Sequence, residues 1–145
     1  LAANTQRNFQ ELELVPRRFS STAASSYAIT TVATSVVGVE ASVYPGTQVV
    51  VKANARIRLL GDTTARMFLH TRFPDGTTQL EDFNTAAGGT AAAGVAREGP
   101  MSGTWMPDGQ PGRNTYDVLL SRDPGGAGSA HLTTGGLATI TVWTI

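Results

Sequence analysis

The stretch VVVKANARIRLL, residues 49–60, constrains the fold more than any other part of the chain. Side chains along an extended strand alternate between two faces. Val49, Val51, Ala53, Ala55, Ile57 and Leu59 therefore share one face, and that face belongs in a core. The opposite face holds Val50, Lys52, Asn54, Arg56, Arg58 and Leu60. It carries three cations in close succession. What those cations meet is the functional question the sequence poses.

The rest of the chain sets the frame for an answer. At 145 residues it is expected to form one main domain with a core large enough to stand without disulfides. There is no cysteine, which removes thiol catalysis, disulfides and most structural zinc sites together. Eleven basic and eleven acidic side chains cancel. A nucleic-acid binder usually shows a positive excess, so no nucleic-acid partner is expected. No apolar run approaches the roughly 20 residues of a membrane helix, and no membrane insertion is expected. The opening LAANTQRNFQ lacks the charged-then-apolar pattern of a signal peptide. The chain begins at Leu1, which fits a processed chain or a piece of a longer one.

Short alternating segments separated by turn residues predict an all-β chain. SYAITTVA (26–33) and VGVEASVY (37–44) precede the opening stretch, and PGT turns the chain into it. GDT (61–63) reads as a hairpin turn, with ARMFLHTRF (65–73) as the antiparallel partner of 48–60. PDG (74–76) closes that strand, and TTQLEDF (77–83) returns. NTAAGGTAAAG (84–94) reads as a loop, VARE (95–98) as a short strand and GPMSGTWMPDGQPGRN (99–114) as a loop. TYDVLLSR (115–122), SAHLTT and LATITVWTI complete the series. About eight strands at short spacing predict a two-sheet antiparallel β-sandwich, jelly-roll-like, with a closed barrel as the other solution. The expected core is Val49, Val51, Ala53, Ile57, Leu59, Met67, Leu69, Tyr116, Val118, Leu120, Ile140 and Val142. Residues 1–25 are expected to form an N-terminal arm, linker or short helix, and residues 26–145 the sandwich domain.

Catalytic chemistry is hard to assemble from these residues. His70 and His131 are the only bases that titrate near neutrality, and neither has a metal-ligand spacing. AGSAH lacks the first glycine of a nucleophile elbow. Glu81 and Asp82 point to opposite faces of a strand, so a two-carboxylate site would need a distant partner. No glycine-rich loop carries a phosphate-site lysine. The Asp-Gly pairs at 75–76 and 108–109 each follow proline and read as turns, not calcium loops. No catalytic residue, cofactor or metal is expected, and the chain reads as a non-enzyme.

Contact chemistry is better represented. In the hairpin reading, Lys52, Arg56 and Arg58 share a sheet face with Arg66, His70 and Arg72. The plain alternative is a solvated face neutralised across strands by Glu40, Glu81 or Glu98. The sharper one is an interface, since arginine is favoured where a charge must meet protein or a carboxylate-bearing glycan. The last strand adds to it. Ala138, Ile140 and Val142 take one face, which leaves Trp143 and Ile145 on the other. An apolar strand that is buried on both sides favours an oligomer.

The segment TTVATSVVGVEASVYPGTQVVVKANARIRLLGDTTARMFLHTRFPDGTT resembles the β-sandwich domains of bacteriophage virion proteins, above all tail-fibre and minor tail proteins. TYDVLLSR…GSAHLTTGGLATITVWTI is similar to the terminal strands of fibre tips, and the resemblance covers residues 26–145. It implies a structural protein of the virion, at the tail or capsid surface, that forms a homo-oligomer (a trimer first) and contacts other virion proteins. It also implies attachment to a host-surface glycan or protein. Similar strands occur in capsid decoration proteins, which is the alternative within the class. A non-catalytic carbohydrate-binding module is the alternative outside it, and Trp105 in SGTWMPDG is then the candidate receptor platform, against the plainer role of a tryptophan that anchors its own loop.

Overall fold

Strand β4, Val49–Leu60, forms over the opening stretch, and its burial alternates residue by residue along its length. The structure, a computed structural model, describes residues 17–23, 27–61, 63–87, 96–123, 129–132 and 138–145. Around β4 it places β1 (Arg17–Thr22), β2 (Tyr27–Ile29), β3 (Thr34–Val43), β5 (Ala65–Arg72), β6 (Thr78–Ala87), β7 (Ala96–Trp105), β8 (Gly112–Arg122), β9 (Ser129–Leu132) and β10 (Thr139–Thr144). Every pairing among them is antiparallel. The all-β sandwich expected from the sequence is present. Among the described residues no helix is long and apolar enough to cross a membrane.

The pairing follows one rule. The first strand pairs with the last, β2 with β9, β3 with β8, β4 with β7 and β5 with β6. The chain is thus one long nested hairpin. Rolling it up adds the pairs β10–β4, β9–β4 and β8–β5, which close two sheets. One has β1-β10-β4-β9-β2 with β7 on the far edge of β4, and the other has β3-β8-β5-β6. β10 and β9 lie end to end along the same edge of β4, and β1 and β2 lie end to end against them. Counting each broken pair as one strand gives the eight-strand jelly roll of two Greek keys.

The two sheets meet over a single apolar core. All twelve expected core positions are buried, and Tyr116, Met67, Leu69, Ile140, Val51 and Val142 have no exposed surface. Ala55, Met101, Trp105 and Leu132 complete the layer. Several buried hydroxyls break its apolar character. Thr71 and Tyr116 stand opposite each other on β5 and β8, and neither hydroxyl finds a hydrogen-bond partner. Burial pushes the Tyr116 phenol up to about 12.

Four expectations need correction. The first concerns GDT, which does not turn a hairpin. β4 and β5 lie in different sheets, and Gly61 (φ +75°) sends the chain from one layer to the other. Both edges of β4 are already occupied, by β7 on one side and β10 with β9 on the other, so no edge is left for β5. The second concerns residues 99–105, which form strand and not loop. β7 pairs only with β4, and an edge strand tolerates Pro100, whose missing N–H is not required on both sides. Gly103 is there for a different reason: a Cβ at that position would collide with the Trp105 indole. The third concerns residues 17–22, which join the sheet as β1 through six register pairs with β10, with Phe19 packed against the core. Their sequence offers only one apolar residue to signal it. The fourth concerns SYAITTVA, where among the described residues Tyr27–Ile29 alone is strand. By contrast the PDG turn forms as expected, with Gly76 at φ +88° and Phe73 N–H bonded to Thr77 O at 2.9 Å. The N-terminal helix or arm over 1–16 and most of the alanine-glycine stretch, 88–94, lie outside the described residues.

Core deletion and hydroxyl deletion are expected to act in opposite directions. Leu69→Ala should cost about 2–5 kcal/mol by chemical denaturation, from lost burial plus a cavity. Tyr116→Phe removes only an unpartnered polar atom and should leave stability unchanged or raise it by about 1 kcal/mol. A large loss in Tyr116→Phe would mean that the hydroxyl is held by a buried water.

Candidate functional site

Strand parity decides what each sheet presents to the outside. On the outer face of the β4 sheet, cross-strand register sets out a series of rows. Trp143 lies between Arg18 and Val50. Thr141 lies between Ser20 and Lys52, and Lys52 opposes Thr104 on its other side. Asn54 lies between Thr139 and Ser102. Arg56 opposes Pro100, and Arg58 lies between His131 and Glu98. The face therefore has an apolar, aromatic end, a hydroxyl-rich middle and a cationic end. The Lys52 ammonium sits 5.7 Å from the Trp143 ring centroid, a cation–π contact that joins the first two zones.

The apolar end continues around the rim of the sandwich. Ile145 and Gln48 exchange backbone hydrogen bonds of 2.8 and 2.9 Å, so the last strand is held to its final residue. The Gln48 amide reaches the Met106 sulfur at 4.0 Å. Arg17 stacks 4.5 Å from the Tyr44 ring and donates to its hydroxyl at 2.7 Å. Tyr44, Met106 and Ile145 remain exposed, at 37%, 63% and 56%. Aromatic residues, methionine and arginine are the residue types enriched at protein interfaces.

The outer face of the other sheet has a different character. Two of its arginines are paired, Arg66 Nε with Asp123 at 2.8 Å and Arg113 with Glu40 at 3.5 Å, and His70 Nδ1 lies 3.8 Å from Asp117. Gly38 opposes Asp117 in the register, and a Cβ there would collide with the Asp117 carboxylate. The single cationic surface expected from a β4–β5 hairpin is thus divided. Lys52, Arg56 and Arg58 point away from one side of the sandwich, while Arg66, His70 and Arg72 lie on the opposite side. Of the carboxylates expected to neutralise the first group, Glu98 lies 3.5 Å from Arg56. Glu40 serves Arg113, and Glu81 stands on β6 in register with Leu69.

Trp105 does not form the expected exposed platform. Its side faces inward on β7, and its ring is buried over Gly103. The half-buried Trp143 is the tryptophan that borders the surface. The two histidines lie on different sheets, His70 on β5 and His131 on β9. Among the described residues no three His, Asp or Glu side chains gather as a metal site. Two carboxylates show resolved shifts of opposite sign. Burial and then the nearby Asp108 raise Glu81, while hydrogen bonds from Thr77 lower the exposed Asp75.

Taken together, the nested pairing and the two packed sheets define a jelly-roll β-sandwich whose β4 sheet presents an aromatic and cationic outer face. Neither a protein-family model nor a curated protein sequence matches the chain. Solved structures do. A structure of infectious bursal disease virus, Gx strain, superposes with a TM-score of 0.56 at 14% identity, covering 91% of this chain and 32% of that one. The VP2 subviral particle of infectious bursal disease virus gives 0.50 at 13% identity, covering 88% and 37%. The CBM22-1 xylan-binding domain from Paenibacillus barcinonensis Xyn10C gives a TM-score of 0.40 at 12% identity, covering 87% and 85%. Identities this low establish a shared fold alone. The chain spans about a third of the length of the virus chains it matches.

The carboxylate shifts give a pH signature. Glu81, raised in the fold, adds stability below its unfolded pKa and loses it as pH rises through the folded value. Asp75, lowered in the fold, adds stability above its unfolded pKa and loses it as pH falls through the folded value. Glu81→Gln should therefore raise Tm and Asp75→Asn lower it at about pH 7, and both differences should be smaller at about pH 3. Thermal melts at the two pH values check this, and equal offsets at both would refute it.

Proposed function

We propose that the chain is a structural jelly-roll module of a virus particle, which assembles with copies of itself and performs no catalysis. The observation that carries this reading is the nested strand pairing, which reproduces the fold of the infectious bursal disease virus structure over nine-tenths of the chain. The outer face of the β4 sheet supports it. Trp143, Val50, Met106 and Ile145 gather at one end beside Arg18 and Lys52, a composition suited to contact with protein. Among the residues proposed for such contacts, Lys52, Arg56, Arg58, Trp143 and Ile145 belong to this sheet, and Arg66 and Arg72 to the other.

The finer reading is a bacteriophage tail-fibre or receptor-binding tip, acting as a trimer at the host surface. It rests on the resemblance of residues 26–145 to such proteins. A capsid decoration protein is its alternative, and host-cell adsorption of the purified chain separates the two.

Assembly is tested by the solution mass of the chain across a concentration series. A multiple of the 15.2 kDa chain mass is expected, falling towards the single-chain mass in the double variant Trp143→Ala/Ile145→Ser. A single-chain mass at every concentration would refute self-assembly. An unchanged oligomer with only a lower Tm would remove Trp143 and Ile145 from the interface.

A further inference from the structure

The chain is neutral overall, with 11 basic and 11 acidic side chains, yet the described charges are not evenly mixed. Arg18, Lys52, Arg56 and Arg58 are exposed on the outer face of the β4 sheet, against one carboxylate, Glu98. Glu98 lies nearest Arg56. Among the described residues no carboxylate comes within ion-pair distance of Arg18, Lys52 or Arg58.

An acidic counterpart lies elsewhere on the same molecule. Asp75 sits on the β5–β6 turn, Glu81 on the edge strand β6, and Asp108 on the loop that follows β7. Gly112, where the loop ends, closes on that turn, since a Cβ there would press on Pro74 at 3.0 Å, next to Asp75, and the charge of Asp108 acts on Glu81. Among the described residues no cation pairs with any of the three. Gly109 seats this loop on the core, where a Cβ would press on Val49 and Val43 at 2.9 and 3.1 Å. The acidic corner therefore has a fixed position on the sandwich.

Symmetry limits how the two patches are used. Two copies stacked face to face through the β4 sheet with strands parallel would bring like charges together, and with strands reversed would leave the cationic ends without carboxylates. A head-to-tail contact instead sets each patch against its opposite. Resting on the assembly reading above, we propose that copies join heterologously, the cationic outer face of the β4 sheet on one copy seating against the acidic corner of Asp75, Glu81 and Asp108 on the next. Trp143, Val50 and Met106 adjoin the cationic face and supply the apolar area that a lasting contact needs. Such contacts close into a ring where the rotation allows and otherwise propagate.

A complementation experiment on the full chain tests this. Arg58→Glu and Asp108→Arg alter exposed side chains, so each variant should keep the wild-type Tm. Each alone should lower the association constant, measured by sedimentation velocity, by at least about tenfold. An equimolar mixture should recover association, because the reversed face of one variant meets the reversed corner of the other. A misfolded variant would not be rescued by mixing. Raising salt should weaken association of the wild type. Arg58→Glu assembling like the wild type, or a mixture that stays dissociated, would overturn the proposal while leaving self-assembly intact. A wild type that never associates would overturn both.

Discussion

The alternation along β4 is the constraint on which the rest of the structure depends. Its inner row from Val49 to Leu59 is buried throughout, and a slip of one residue would put those six apolar side chains in water and three cations in the core. The penalty fixes the register of every strand that pairs with it. β7 occupies one edge, while β10 and β9 share the other, so three strands depend directly on one face. β1 and β2 depend on it at one remove. With both edges filled, the chain leaving β4 at Gly61 has to build a second sheet, and the sandwich follows from that saturation.

The same parity produces the surface. Because Ile57 and Leu59 face in, Arg56 and Arg58 face out. Because Ile140 and Val142 face in, Trp143 joins Val50 on the outside. The aromatic end and the cationic end of the face are thus set by the packing of the core and not by any local motif. On the other sheet Arg66 pairs with Asp123 and Arg113 with Glu40, while among the described residues no carboxylate comes within ion-pair distance of Arg18, Lys52 or Arg58, although Glu98 stands opposite Arg58 in the register. A shared inner core thus supports two outer faces of different character.

Much of the fold was legible in the sequence because burial follows period two. The whole expected core is buried, and the PDG turn and the span of β4 are where the residues indicated. What failed was long-range. GDT is short and glycine-bearing, which suits a hairpin and an inter-sheet crossing equally, and only the occupancy of the β4 edges decides between them. The glycines and proline of β7 read as loop because their reasons lie elsewhere in space, in the unpaired edge and in the Trp105 ring. For the site, Lys52, Arg56, Arg58, Trp143 and Ile145 were readable as outward residues. Their separation from Arg66 and Arg72 was not, because it depends on which sheet β5 joins. The acidic corner was invisible for the same reason: Asp75, Glu81 and Asp108 are brought near one another only by the nested pairing.

The nested pairing is tested most directly by disulfide trapping, since the chain has no cysteine of its own. Ser20 and Thr141 are opposed across β1 and β10, at the outermost level of the nest. Arg58 and Arg66 would be opposed in a β4–β5 hairpin but lie on opposite sides of the sandwich, whose sheets are about 10 Å apart before the side chains are counted. A disulfide requires Cβ atoms about 3.5–4.5 Å apart. Under mild oxidation, Ser20→Cys/Thr141→Cys should cross-link within the chain and Arg58→Cys/Arg66→Cys should not. An intramolecular cross-link in the second pair and none in the first would contradict the rolled, nested fold.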